Sequence, residues 1–89
     1  MTTIYLSEKD GKHRIRCEDH ATGSESVCGG ISAICCTLSV CAVEPTKFVM
    51  ESGFFDIEFC GQEELFSFAK AGFEGIADAY EEYCKIKYE

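Results

Sequence analysis

Polar and apolar positions alternate from the first residues: Thr2–Ser7 places Ile4 and Leu6 on one face, a period of two that predicts a strand. Lys9-Asp10-Gly11 follows, with Asp-Gly as a two-residue hairpin signal. His13–Glu18 then reads as the partner strand, with Ile15 and Cys17 on one face and His13, Arg14 and Arg16 among the polar positions; His13 is expected as an exposed strand residue. Asp19–Ser26 is a Gly/Ser/Thr-rich loop whose last residues can cap a helix. From Val27 to about Ala42 the pattern turns apolar on nearly every side, through Val27, Ile31, Ile34, Leu38 and Cys41, and predicts a helix that must be covered on more than one side.

Pro45 ends that helix. Thr46–Glu51 and Phe54–Phe59, joined at Ser52-Gly53, predict a second hairpin, its second strand alternating Phe55, Ile57 and Phe59 with Asp56 and Glu58. A second helix is expected over Glu63–Tyr83, where Leu65, Phe66, Ala69, Phe73, Ile76, Ala77 and Tyr80 recur near the helical period. Ile86-Lys87-Tyr88 is short enough for one more strand. The order β-β-α-β-β-α predicts an α+β fold: a two-layer domain, a mainly antiparallel sheet with two helices on one face, spanning residues 1–89 as one unit.

Composition narrows the class. At 46% hydrophobic and 27% charged, the 89 residues suit a globular domain and exclude disorder. The net charge of −8 disfavours direct nucleic-acid binding, which needs clustered Lys and Arg against phosphate. Seven cysteines are an odd number, and no leader pattern precedes them; the expectation is a reduced, cytoplasmic chain without a disulfide framework. Val27–Val43 is apolar but short of the roughly 20 residues of a membrane span, so no membrane partner is expected. A chain this short buries only about 60% of its unfolded surface, and the all-apolar helix therefore points to a homodimer covering its outer side.

One segment carries candidate chemistry. In Asp19–Ile34 (DHATGSESVCGGISAI) a histidine, His20, ends a strand, a small-residue loop follows, and Cys28 falls in the first turn of a helix. A helix N-terminus lowers a thiol's pKa and so favours the nucleophilic thiolate. A histidine within hydrogen-bond reach can take the thiol proton and return it to a leaving amine. Unpaired first-turn N–H groups can hold an oxyanion. Gly29 and Gly30 remove side chains where a substrate backbone would approach, although each costs helix stability of about 1 kcal/mol.

These residues resemble the ribosomal-processing cysteine proteases. That family is marked by a Gly-His-Ala stretch, a loop, and an Asp-x-Val-Cys-Ala-x-x-Ser-Ala stretch opening an apolar helix. Asp19-His20-Ala21 answers the first part, and Glu25-Ser26-Val27-Cys28-Gly29-Gly30-Ile31-Ser32-Ala33 the second. Asp19, Glu25 and Gly29 depart from the family's glycine, aspartate and alanine, and the loop from His20 to Cys28 is several residues shorter. The resemblance implies His20 and Cys28 as catalytic residues, with Gly29, Gly30 and Ser32 beside the substrate. It also implies an endopeptidase that removes a short N-terminal extension from a ribosomal large-subunit protein, or acts on a related phage virion protein, cutting after paired aromatic residues. The expected partner is a protein with a flexible N-terminal tail.

Other readings stand beside these. Cys28 can be a buried structural thiol, His20 a loop residue holding a turn, and Ser32 a hydroxyl bonded to a carbonyl one turn back. A catalytically inactive dimeric binding protein of the same fold is the alternative to the protease. No Cys-x₂-Cys pair or second ligand cluster is present, so neither a metal nor another cofactor is expected.

Overall fold

The computed structural model describes residues 1–19 and 24–89. The chain forms β1 (Thr2–Lys9), β2 (Lys12–Glu18), α1 (Glu25–Cys41), β3 (Lys47–Glu51), β4 (Phe54–Cys60), α2 (Glu63–Ala79) and β5 (Cys84–Tyr88). The five strands make one mixed sheet in the order β3-β4-β2-β1-β5. This is the α+β arrangement expected, two hairpins each followed by a helix, with a final strand added.

Local chemistry explains each hairpin. Asp10 and Gly11 both take positive φ, at 54° and 78°, as a turn matching the strands' twist requires. The turn sets β1 antiparallel to β2, with Ile4 opposite Cys17 and Leu6 opposite Ile15. At Ser52-Gly53 a second two-residue turn sets β3 against β4, and β4 then pairs antiparallel with β2, Ile15 opposite Ile57. The chain crosses back through α2, so β5 joins β1 in parallel, Ile4 beside Ile86.

Both helices pack on the sheet face that carries Ile4, Leu6, Ile15, Cys17, Phe55, Ile57 and Phe59. α1 contributes Val27, Ile31, Cys35 and Leu38, and α2 contributes Phe66, Ala69 and Phe73. The helices run antiparallel and close together. A β-carbon on Gly30 would stand 3.1 Å from Cδ1 of Ile76, and one on Gly72 would stand 2.8 Å from Cδ1 of Ile34. Gln62 ties their near ends: its amide accepts from the Val43 N–H at 2.8 Å and donates to the Cys41 carbonyl at 3.0 Å.

Three expectations change, and one burial is new. His13 is fully buried rather than exposed, because it shares the inward parity of Ile15 and Cys17. Its ring stacks on Phe66 at 4.5 Å, and its Nδ1 lies 3.0 Å from Glu8. Asp56, on the opposite face, is only 1% exposed, held by Arg14 and Lys47. The second helix ends at Ala79 instead of Tyr83, since Tyr80 leaves helical geometry (φ −133°, ψ 52°) and its carbonyl accepts from both Tyr83 and Cys84. β5 therefore begins at Cys84, two residues before the expected Ile86. Among the described residues, no helix is long and apolar enough to cross a membrane.

Candidate active site

α1 begins where the sequence placed a cap. Ser24 holds extended backbone, φ −141° and ψ 107°, and its hydroxyl accepts from the Val27 N–H at 3.3 Å. The Ser24 carbonyl accepts the Cys28 N–H at 3.2 Å. These two bonds fix the first turn and occupy two of its amides, leaving the N–H groups of Glu25 and Ser26 without a partner inside the helix. Glu25, the one acidic residue of that turn, complements the helix dipole.

Cys28 is half-buried, a free thiol among the residues that line a cavity of about 230 Å³. The cavity lies where β1 begins, β2 ends and the β3–β4 hairpin turns. Cys17, Ile31, Cys35, Phe54 and Phe55 make it almost wholly apolar, and Asp19, Glu51 and Ser32 also contribute to its wall. Such a space suits one bulky apolar side chain. The thiols of Cys17 and Cys35 touch at 3.9 Å, and that contact, then burial, raises the Cys17 pKa; Cys17 stays a protonated, inert lining group.

His20 lies outside the described residues, together with Ala21, Thr22 and Gly23. The backbone leading to it is anchored. Asp19 takes φ 68°, donates its N–H to the Gly53 carbonyl at 3.0 Å, and accepts at its own carbonyl from the Thr2 hydroxyl at 3.1 Å. The chain thus leaves β2 tied to the β3–β4 turn and to the start of β1, both at the cavity.

The remaining candidates separate. Ser32 joins Cys28 in the cavity wall. Gly29 has open space around it, and Gly30 faces Ile76 of α2, so its lack of a side chain serves helix contact. Reasoning from sequence missed Cys17, Cys35 and the hairpin Met50–Phe55 as cavity walls. The inward parity of Cys17 was visible, but nothing local shows which distant turn will meet a helix start. Among the described residues, no group of three or more His, Cys, Asp or Glu side chains is placed to hold a metal ion.

Comparison with known proteins adds the fold's relatives. No family profile matches the sequence, and no curated protein matches it by sequence. Solved structures do match. The essential ribosomal processing protease Prp from S. aureus, in complex with a covalently linked product peptide, superimposes with a TM-score of 0.80 at 19% identity over 100% of both chains. The same protease with a substrate peptide gives 0.75 at 18% identity, again over 100% of both chains. SMU.848 from Streptococcus mutans gives 0.70 at 17% identity, over 99% of this chain and 93% of that one. From end to end, then, this chain has the fold of the ribosomal processing protease Prp.

Proposed function

We propose that this protein is a cysteine endopeptidase of the ribosomal-processing type, with Cys28 as nucleophile and His20 as its base. The observation that carries the reading is the position of Cys28: a half-buried thiol in the capped first turn of α1, in the wall of an apolar cavity. The shared fold supports it, since the S. aureus protease with that fold binds substrate and product peptides.

The chemistry follows from the parts. His20 takes the Cys28 proton, and the thiolate attacks the scissile carbonyl carbon. The carbonyl oxygen becomes an oxyanion, which the Glu25 and Ser26 amides are suited to receive. As the tetrahedral intermediate collapses, the C–N bond breaks and His20 gives its proton to the leaving amine. Water, deprotonated by His20, then cleaves the thioester, releasing the acid and restoring the thiol. Gly29 leaves room for a substrate backbone beside the nucleophile, and Ser32 offers it a hydroxyl from the cavity wall.

The substrate is an extended, flexible N-terminal tail, on a ribosomal large-subunit protein or a related phage virion protein. An extended segment can offer its own amides and carbonyls to the site, as a folded one cannot. The net charge of −8 favours tails carrying Lys or Arg. The enzyme works in the cytoplasm as a homodimer joined through the outer side of α1, where Val40 is 82% exposed and Ala33 and Cys36 are also exposed. Incubating the protein with the matching ribosomal precursor and with virion proteins, then mapping new termini by mass spectrometry, tests the function. Cuts confined to a flexible tail support it. Cuts scattered through folded regions, or none in any tail, contradict it.

A further inference from the structure

We infer that the outer edge of β3 is the strand on which the peptide substrate lies, adding to the sheet as a sixth strand that leads into the Cys28 cavity. The inference rests on the protease reading for its ligand, and on the geometry of β3 for its place. β3 is the last strand of the sheet, and among the described residues it pairs with β4 alone. An edge of this kind presents a row of backbone donors and acceptors to any extended chain.

The register says which groups those are. Glu51 and Phe54 flank a two-residue turn, so they form the hairpin's terminal hydrogen-bonded pair. By alternation, Val49 and Lys47 also bond inward to β4, while the N–H and C=O groups of Phe48 and Met50 face outward. These two residues stand roughly 7 Å apart along the strand, the spacing at which one extended peptide can meet both.

Three further observations select a peptide and give its chemistry. The Phe48 and Met50 side chains are 47% and 48% exposed although they lie on the helix-bearing face, as partners of Ile57 and Phe55. Their apolar surface extends the cavity wall outward, since Met50 and Glu51 line the cavity itself. Phe48 is held edge-on to Phe55, at 6.2 Å between ring centres, which fixes the ring where a peptide side chain would rest. Glu51, at the junction of edge and cavity, adds negative charge where the peptide turns toward the thiol. The fitting ligand is an extended segment with bulky apolar side chains and a neighbouring Lys or Arg.

The test uses the full chain carrying Cys28→Ala, so that a bound peptide stays whole. The probe is a synthetic peptide of about ten residues with two adjacent phenylalanines and a lysine at each end. Amide hydrogen exchange is followed by NMR with and without it. The expected result is peptide-dependent protection of the Phe48 and Met50 amides. Met50→Pro, which removes one outward N–H that the ladder does not use, should weaken binding about five- to tenfold relative to Met50→Ala. A probe N-methylated along its backbone should lose affinity for the unaltered edge in the same way. Binding that protects other amides, or equal binding by Met50→Pro and Met50→Ala with no effect of N-methylation, overturns the inference and leaves the protease reading standing. So does protection of Phe48 and Met50 that rises with protein concentration in the absence of peptide, which would place a second copy on the edge. Absence of any binding also overturns it, and cleavage by the unmodified protein decides the protease reading separately.

Discussion

Gly30 and Ile76 meet where α1 and α2 approach: a β-carbon on Gly30 would stand 3.1 Å from the Ile76 Cδ1 atom. One helical turn along each helix the relationship is reversed, with Ile34 over Gly72. Each isoleucine fills the space that the opposite glycine leaves, so two glycines that weaken their own helices bring the pair into contact.

That contact gives a prediction with two signs. Gly30→Val adds branched bulk against Ile76 and should lower stability by about 1 to 3 kcal/mol. Gly29→Ala enters open space and should raise stability by about 1 kcal/mol, since alanine favours the helix. Urea unfolding of both variants checks this, and a stabilised Gly30→Val would show that the helices are not in close contact.

Asp56 supplies a pH dependence. Its burial disfavours the charged form, but the Arg14 guanidinium, at 3.0 and 2.8 Å, and Lys47 outweigh that and hold its pKa below the ordinary carboxylate value. A lowered folded-state pKa means that the stabilisation is fully present above the unfolded value, about 4, and is lost as pH falls through the folded one. Asp56→Asn should therefore be less stable at pH 7 by about 1 to 2 kcal/mol, because Arg14 and Lys47 remain partly solvated. The gap should close below about pH 4. Thermal unfolding across that range is the check, and a gap that stays constant would rule the ion pairs out as its source.

Assembly is tested on α1. Val40→Glu puts a charge on the outer side of the helix, where the native side chain is 82% exposed in one chain. It should shift sedimentation from dimer to monomer without lowering helix content. A wild-type protein that sediments as a folded monomer at micromolar concentration would remove the dimer from the account.

Thiol reactivity should divide the seven cysteines. Cys17, Cys35 and Cys84 are buried and should resist iodoacetamide in the native protein; burial also pushes the Cys84 thiol up. Cys36, Cys41 and Cys60 are exposed and should react as ordinary thiols. If His20 is the base of the proposed dyad, Cys28, in the first helical turn, should react at least tenfold faster near neutral pH, and His20→Ala should slow it. Peptide mapping after brief alkylation reads the order directly.

Much of the fold was legible in advance because its signals are local. Asp10-Gly11 and Ser52-Gly53 encode two hairpins, Ser24 caps α1, and the period of Leu65 to Ala77 encodes α2. Side-chain polarity misled where parity ruled. His13 is polar, yet it lies in line with Ile15 and Cys17 and is buried with them. The candidate site divides in the same way. The cap and the first turn around Cys28 are sequence-local, whereas the cavity joins Cys17, Cys35 and Phe54 from three elements. The Glu51 edge became visible only once β3 was known to be outermost.

The most direct measurement of the central claim is the cleavage rate of a flexible tail peptide, compared across the wild type, Cys28→Ala, His20→Ala and Cys36→Ala. New termini are read by mass spectrometry, and folding is confirmed for each protein. The account predicts a single cut by the wild type and by Cys36→Ala, no detectable cut by Cys28→Ala, and a rate for His20→Ala lower by about a hundredfold or more. Cleavage that survives in folded Cys28→Ala, or that Cys36→Ala abolishes, would contradict it.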